Sequence, residues 1–135
     1  MAIEFVDSNV VVYGFTRDVR AIPARALLQR KPLISVQSLN EFASVARRKL
    51  GMSWSDIGES IAIVRTVCPT VLDLTVATHE EAMRIAERYG FAIFDALIVA
   101  SALRAKSETL WSEDMHHGMV IDGRLRIANP FRTED

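Results

Sequence analysis

Residues 96–103 read Ala-Leu-Ile-Val-Ala-Ser-Ala-Leu and are apolar on every side except at Ser101. A helix with no polar face cannot lie on a surface, so this stretch predicts a central, buried helix. Asp95 stands at its start. The rest of the chain supplies material to surround it. Short β-branched or alternating segments at 2–6, 33–36, 71–74, 109–112 and 125–128 predict strands. Helical patterns fall between them, softly over 10–15 and more clearly over 23–29, where Pro23 suits a first turn. Further helices are expected after Ser38, over 53–67 and after Thr78. Strands alternating with single or paired helices imply right-handed crossovers and a mostly parallel central sheet covered on both faces, an α/β fold.

Local signals predict the boundaries. Ser38-Leu39-Asn40-Glu41 and Thr78-His79-Glu80-Glu81 both match the capping box, with Glu41 the acid that closes the first. Arg47, Arg48 and Lys49 fall in the last turn of one helix, where positive charge complements the helix dipole, and Gly51 supplies the stop. Gly90 ends another helix, and Asp122-Gly123 predicts a turn. Arg124 and Arg126 alternate with Leu125 and Ile127, the pattern of an edge strand with one wet face. Either basic set could also track a phosphate backbone.

The chain has 135 residues, half of them hydrophobic and about a quarter charged. That suits a single domain over 1–135 with one sizeable core. A net charge of -1 neither requires nor forbids a nucleic-acid partner. The lone cysteine, Cys68, rules out an intramolecular disulfide, suits a reducing cytoplasm and is expected to be buried. The first residues lack the pattern of a signal peptide, and no apolar run reaches the ~20 residues of a membrane span.

Four acids mark changes of chain direction: Asp7 after the first strand, Glu41 and Asp95 at helix starts, and Asp114 after a late strand. Each has an ordinary reading as a helix cap or loop residue. Their positions are those where a parallel sheet places its ligand, beyond the carboxyl ends of the strands. Gathered carboxylates raise one another's pKa and call for a counter-charge, yet no lysine or arginine lies within two residues of Asp7, Asp95 or Asp114. Magnesium or manganese fits that demand, and the lack of histidines flanking Asp7, Glu41 and Asp95 argues against zinc. His116 and His117, followed by Gly118, read as a solvent-exposed turn.

Five short motifs carry a resemblance. Val6-Asp7-Ser8-Asn9, Leu39-Asn40-Glu41-Phe42, the run from Phe94-Asp95 to Ala100, Trp111-Ser112-Glu113-Asp114-Met115 and Asn129-Pro130-Phe131 occur in this order. In order and spacing the chain resembles the PIN-domain ribonucleases, and among them it is most similar to VapC-type toxins. No one motif is specific; the ordered set is. The resemblance implies a three-layer α/β/α fold and a Mg2+- or Mn2+-dependent endoribonuclease. It also implies a homodimer held in check by a VapB-type antitoxin whose tail occupies the acidic cleft. Asp7, Glu41, Asp95 and Asp114 match the family's acidic quartet, Ser112 a small hydroxyl position and Asn9 a polar residue near the first acid. Asp7 and Asp95 are the expected direct metal ligands, with Glu41 and Asp114 binding directly or through water. Residues 52–69 carry no motif that would report the RNA target.

Other classes fit less well. Aspartate-nucleophile phosphohydrolases need a second aspartate where Asn9 stands, and receiver-type domains need a lysine where Ser112 and Glu113 stand. A PIN-like module that mainly binds protein or RNA, or a processing nuclease outside a toxin–antitoxin pair, remains the alternative.

Overall fold

A computed structural model describes residues 2–132. Residue 1 and residues 133–135, the ends of the expected single domain, lie outside the described residues. The chain begins with β1 (Glu4–Val6), α1 (Ser8–Tyr13), α2 (Ala21–Leu28), β2 (Ile34–Ser35), α3 (Val36–Arg48) and α4 (Trp54–Val67). It continues through β3 (Val71–Leu72), α5 (Val76–Tyr89), α6 (Ile93–Arg104), β4 (Thr109–Trp111), β5 (Val120–Ile121) and β6 (Leu125–Ala128).

Strands β1, β4, β6 and β5 form one sheet in that order, and β2 pairs with β3. A parallel bridge between Phe5 and Leu33, with Leu33 N–H donating to Glu4 O at 2.9 Å, brings β2 alongside β1. All pairings are parallel except β5 with β6, so the expected mostly parallel sheet is present. The chain therefore leaves β1 toward β2 on one side and returns to β4 on the other. That reversal opens a crevice at the ends of β1 and β4, where this architecture places ligands.

Neighbouring residues of β1 show the layering. Phe5 packs with Ile98, Leu103, Leu110 and Ile127, against α5 and α6; Val6 packs with Val10, Ile34 and Phe42, under α1 to α4. Successive strand residues point to opposite faces, so a three-residue strand feeds two cores. Helix α6 is buried along most of its length from Ala96 to Leu103, as its composition demands. Cys68 is buried in the second core, and burial pushes its thiol up to about 11.

Two helix starts differ from expectation in the same way. Helix α3 is capped by Ser35, whose Oγ accepts from Ser38 N–H while Ser38 Oγ accepts from Ser35 N–H. Helix α5 is capped by Thr75, which accepts from Thr78 N–H at 3.1 Å. Both helices begin one turn early because hydroxyl pairs cap them, so neither Ser38 nor Thr78 is the cap. Glu41 consequently lies inside α3 and does not open it. Helix α6 begins at an Ala92 cap with no side-chain bond, so Asp95 is no cap either; it sits in the first turn.

The end of the chain also departs from expectation. Residues 120–121 form a strand too short to show any periodicity, and it pairs with β6 around Asp122 and Gly123, both at positive φ (52° and 69°). Three residues, 122–124, link the strands, and Arg124 N–H donates to Ile121 O at 3.0 Å across the Asp122-Gly123 pair, whose positive φ matches the twist of a hairpin. β6 is thus flanked by β4 and β5, and β5 forms the edge. One face of β6 is wet, with Arg126 exposed between buried Leu125 and Ile127.

Candidate active site

A cleft of about 610 Å³ opens beyond the carboxyl ends of β1 and β4, and Asp7, Glu41, Asp95 and Asp114 all line it. Four separate elements deliver them. Asp7 follows β1 and caps α1, its Oδ1 accepting from Ser8 N–H at 2.7 Å. Glu41 projects from α3, which follows β2 without a break. Asp95 stands in the first turn of α6, and Asp114 in the loop after β4.

Asp7 is the buried member, only 3% exposed. Its Oδ2 accepts from Ser112 Oγ at 2.7 Å and from Asn9 Nδ2 at 3.4 Å. Burial is the main reason its pKa is raised to about 7; the bonds from Ser112 and Ser8 oppose the rise, and the charges of Glu41 and Asp95 add to it. Asp95 is also raised, by burial and then by the charge of Asp114. Among the described residues its carboxylate accepts no hydrogen bond. Asn9 links two of the acids, since Nδ2 also donates to Asp114 Oδ2 at 3.2 Å. Ser112 and Asn9 thus both donate hydrogen bonds to the acids.

Several partners were not anticipated. Ser8 Oγ donates to Glu41 Oε1 at 2.9 Å, and Gln37 Nε2 to Glu41 Oε2 at 3.3 Å. Gln37 lies four residues before Glu41, one helical turn, so the correct helix start would have revealed it. Beside Asp114, Glu113 accepts from Tyr13 Oη at 2.9 Å and from Arg20, and Arg20 also donates to Tyr13. This group joins the loop to α1. The two histidines stay outside the cleft: His116 is exposed, and His117 Nδ1 accepts from Asn129 N–H at 2.9 Å.

Among the described residues none of the four acids forms an ion pair, although arginine–carboxylate pairs occur elsewhere. The donor set is all hard oxygen, the chemistry that suits magnesium or manganese. The side chains are not, however, drawn together as a chelate: among the described residues no three His, Cys, Asp or Glu are grouped so as to hold a metal ion. Shared donors instead bridge three of the acids: Ser8 Oγ meets Asp7 and Glu41, and Asn9 Nδ2 meets Asp7 and Asp114, while Ser112 and Gln37 each donate to one.

An α/β sheet with four acids gathered in a cleft at its switch point defines the class. The sequence pattern of the PIN domain family matches residues 5–117, and the chain belongs to that family. Solved structures share the fold. A toxin-antitoxin complex from Klebsiella pneumoniae superposes with a TM-score of 0.69 at 16% identity, covering 98% of this chain and 100% of that one. VapC20 from Mycobacterium tuberculosis, described as a sarcin-ricin loop cleaving toxin, gives 0.66 at 22%, covering 79% and 86%. VapBC2 from Rickettsia felis, bound to a DNA fragment from its promoter, gives 0.67 at 18%, covering 94% and 98%. No curated protein matches the chain in sequence. Among the described residues no helix is long and apolar enough to cross a membrane.

Proposed function

We propose that the cleft is the active site of a metal-dependent endoribonuclease serving as the toxin of a toxin–antitoxin pair. The observation that carries this reading is the meeting of Asp7, Glu41, Asp95 and Asp114 in one cleft, with no ion-pair partner among the described residues. Family membership and the fold shared with VapC20 and the two toxin–antitoxin assemblies support it.

Asp7 and Asp95 are the proposed direct ligands of Mg2+ or Mn2+, with Glu41 and Asp114 binding directly or through water. When bound, such a cation neutralises charge on a phosphodiester and lowers the pKa of water. The chain's own residues do the rest. Ser112 and Ser8 N–H fix both oxygens of Asp7, so its carboxylate keeps one orientation. Glu41, braced by Ser8 and Gln37, and Asp114, braced by Asn9, would orient a water or accept its proton. A VapB-type antitoxin, a homodimer and a cytoplasmic setting complete the reading.

The test has two arms. Mn2+ binding is measured calorimetrically on wild type, Asp7→Asn and Asp95→Asn, and RNA ends are mapped after brief expression of wild type and Asp7→Asn. Loss of both binding and new 5′ ends in the variants is expected. Undiminished cleavage by rigorously purified Asp7→Asn would sink the assignment.

A further inference from the structure

Arg48 is the one basic side chain lining the acidic cleft among the described residues. Its position follows from helical geometry. Gln37, Glu41, Ser44 and Arg48 are spaced by four, three and four residues, so they form one stripe along α3. The stripe faces the cleft, and Arg48 lies about 10 Å along the helix axis from Glu41. Its neighbour Arg47 points elsewhere: it donates to Met52 O at 3.0 Å and lies over the Trp54 ring at 5.3 Å. Arg48 donates through Nε to Ser44 Oγ at 3.1 Å, and among the described residues its other guanidinium N–H groups have no partner.

Helix α6 contributes an equally unexplained group. Phe94 is 59% exposed in the helix whose other apolar side chains are mostly buried, and its ring lines the same cleft directly before Asp95. It belongs to neither core. A free guanidinium and a free aromatic face beside a nuclease centre match the two repeating parts of a single strand, its phosphates and its bases.

We infer that Arg48 and Phe94 form a subsite for the nucleotide flanking the cleaved bond, in single-stranded RNA. Arg48 holds a phosphate other than the one at the acids, through the fork of donors its Nε contact leaves free. Phe94 stacks on an adjacent base. The subsite rests on the nuclease reading above and adds to it two substrate-positioning residues, one for a phosphate and one for a base.

The experiment uses a single-stranded RNA oligonucleotide containing the mapped cleavage site. Its phosphates are replaced one at a time by methylphosphonates and its nucleotides one at a time by abasic residues. For wild-type protein, Arg48→Gln should raise KM about tenfold with kcat within about twofold, as expected for one charged hydrogen bond. It should also make the salt dependence of binding shallower by about 0.7 in log–log slope. Phe94→Leu should raise KM about fivefold or more and Phe94→Tyr should restore it, since stacking needs a ring. One methylphosphonate position should cost wild type but add nothing to Arg48→Gln, and one abasic position should behave likewise with Phe94→Leu.

Cleavage by wild type with effects that simply add, or that are uniform along the strand, would overturn the subsite and leave the nuclease reading standing. RNA bound but uncut by wild type would remove the nuclease reading alone, because the same cycles run on binding still decide the subsite. Wild type that neither binds nor cuts RNA would remove both. Unchanged thermal melts of these exposed-residue variants guard against misfolding.

Discussion

Ser112 Oγ donates to Asp7 Oδ2 at 2.7 Å across 105 positions of sequence, joining the end of β4 to the end of β1. Both side chains are buried, so the bond is shielded from water. Among the described residues it is the one side-chain bond to Asp7 from a distant part of the chain.

Ser112→Ala therefore leaves Asp7 Oδ2 with only the longer bond from Asn9. Losing such a supporting partner is expected to lower RNA cleavage about 10- to 100-fold. Stability should fall by about 1–3 kcal/mol. Single-turnover cleavage and urea melts check the two effects, and an unchanged rate would remove Ser112 from any part in orienting Asp7.

The raised pKa of Asp7 makes stability depend on pH. Between its ordinary value of 3.8 and its folded value of about 7, the folded protein holds a proton that the unfolded chain has released. This contribution is complete below about pH 4 and is lost as pH rises through 7, a change of about 4 kcal/mol. Melts in chelator across pH 4–8 should show wild type weakening relative to Asp7→Asn as pH rises. Parallel curves would refute the linkage.

A bound cation should reverse that penalty by stabilising the ionised acids. At pH 8, Mg2+ or Mn2+ at 100 times its dissociation constant would stabilise the fold by about 2.7 kcal/mol. Differential scanning calorimetry should show a higher melting temperature for wild type and little change for Asp95→Asn. Equal shifts in both proteins would place the cation elsewhere.

Thr75→Ala removes the cap of α5, a helix with no residue in the cleft lining among the described residues. A loss of about 1 kcal/mol is expected, with cleavage per folded molecule unchanged. Thermal melts beside activity assays measure it. A fall in activity without a fall in stability would connect α5 to the site.

The three-layer fold was legible because its strongest signals are long. The apolar run of α6 and the alternation of strands with helices left little freedom. Asp7, Glu41, Asp95 and Asp114 were legible only through the ordered motifs around them, since each alone resembles a cap or loop acid. The starts of α3 and α5 were not legible, because Ser35 with Ser38 and Thr75 with Thr78 make a plainer pattern than a hydroxyl followed by glutamate. Arg48 was hidden by its sequence neighbours. Read with Arg47 and Lys49 it is a basic helix end; counted seven residues from Glu41 it faces the acids. β5, with two residues, has no period to detect.

The displaced start of α3 has a mechanical consequence. Glu41 and Asp95 stand on regular helices and Asp7 is locked at a strand end, while exposed Asp114 hangs on a loop tied back through Asn9. The turn at 112–115 is itself pinned, through Ser112 to Asp7, Glu113 to Tyr13 and Arg20, and Asp114 to Asn9. A substrate therefore meets walls that are already cross-braced, and the loop acid is held to the strand-end acid by way of a single amide.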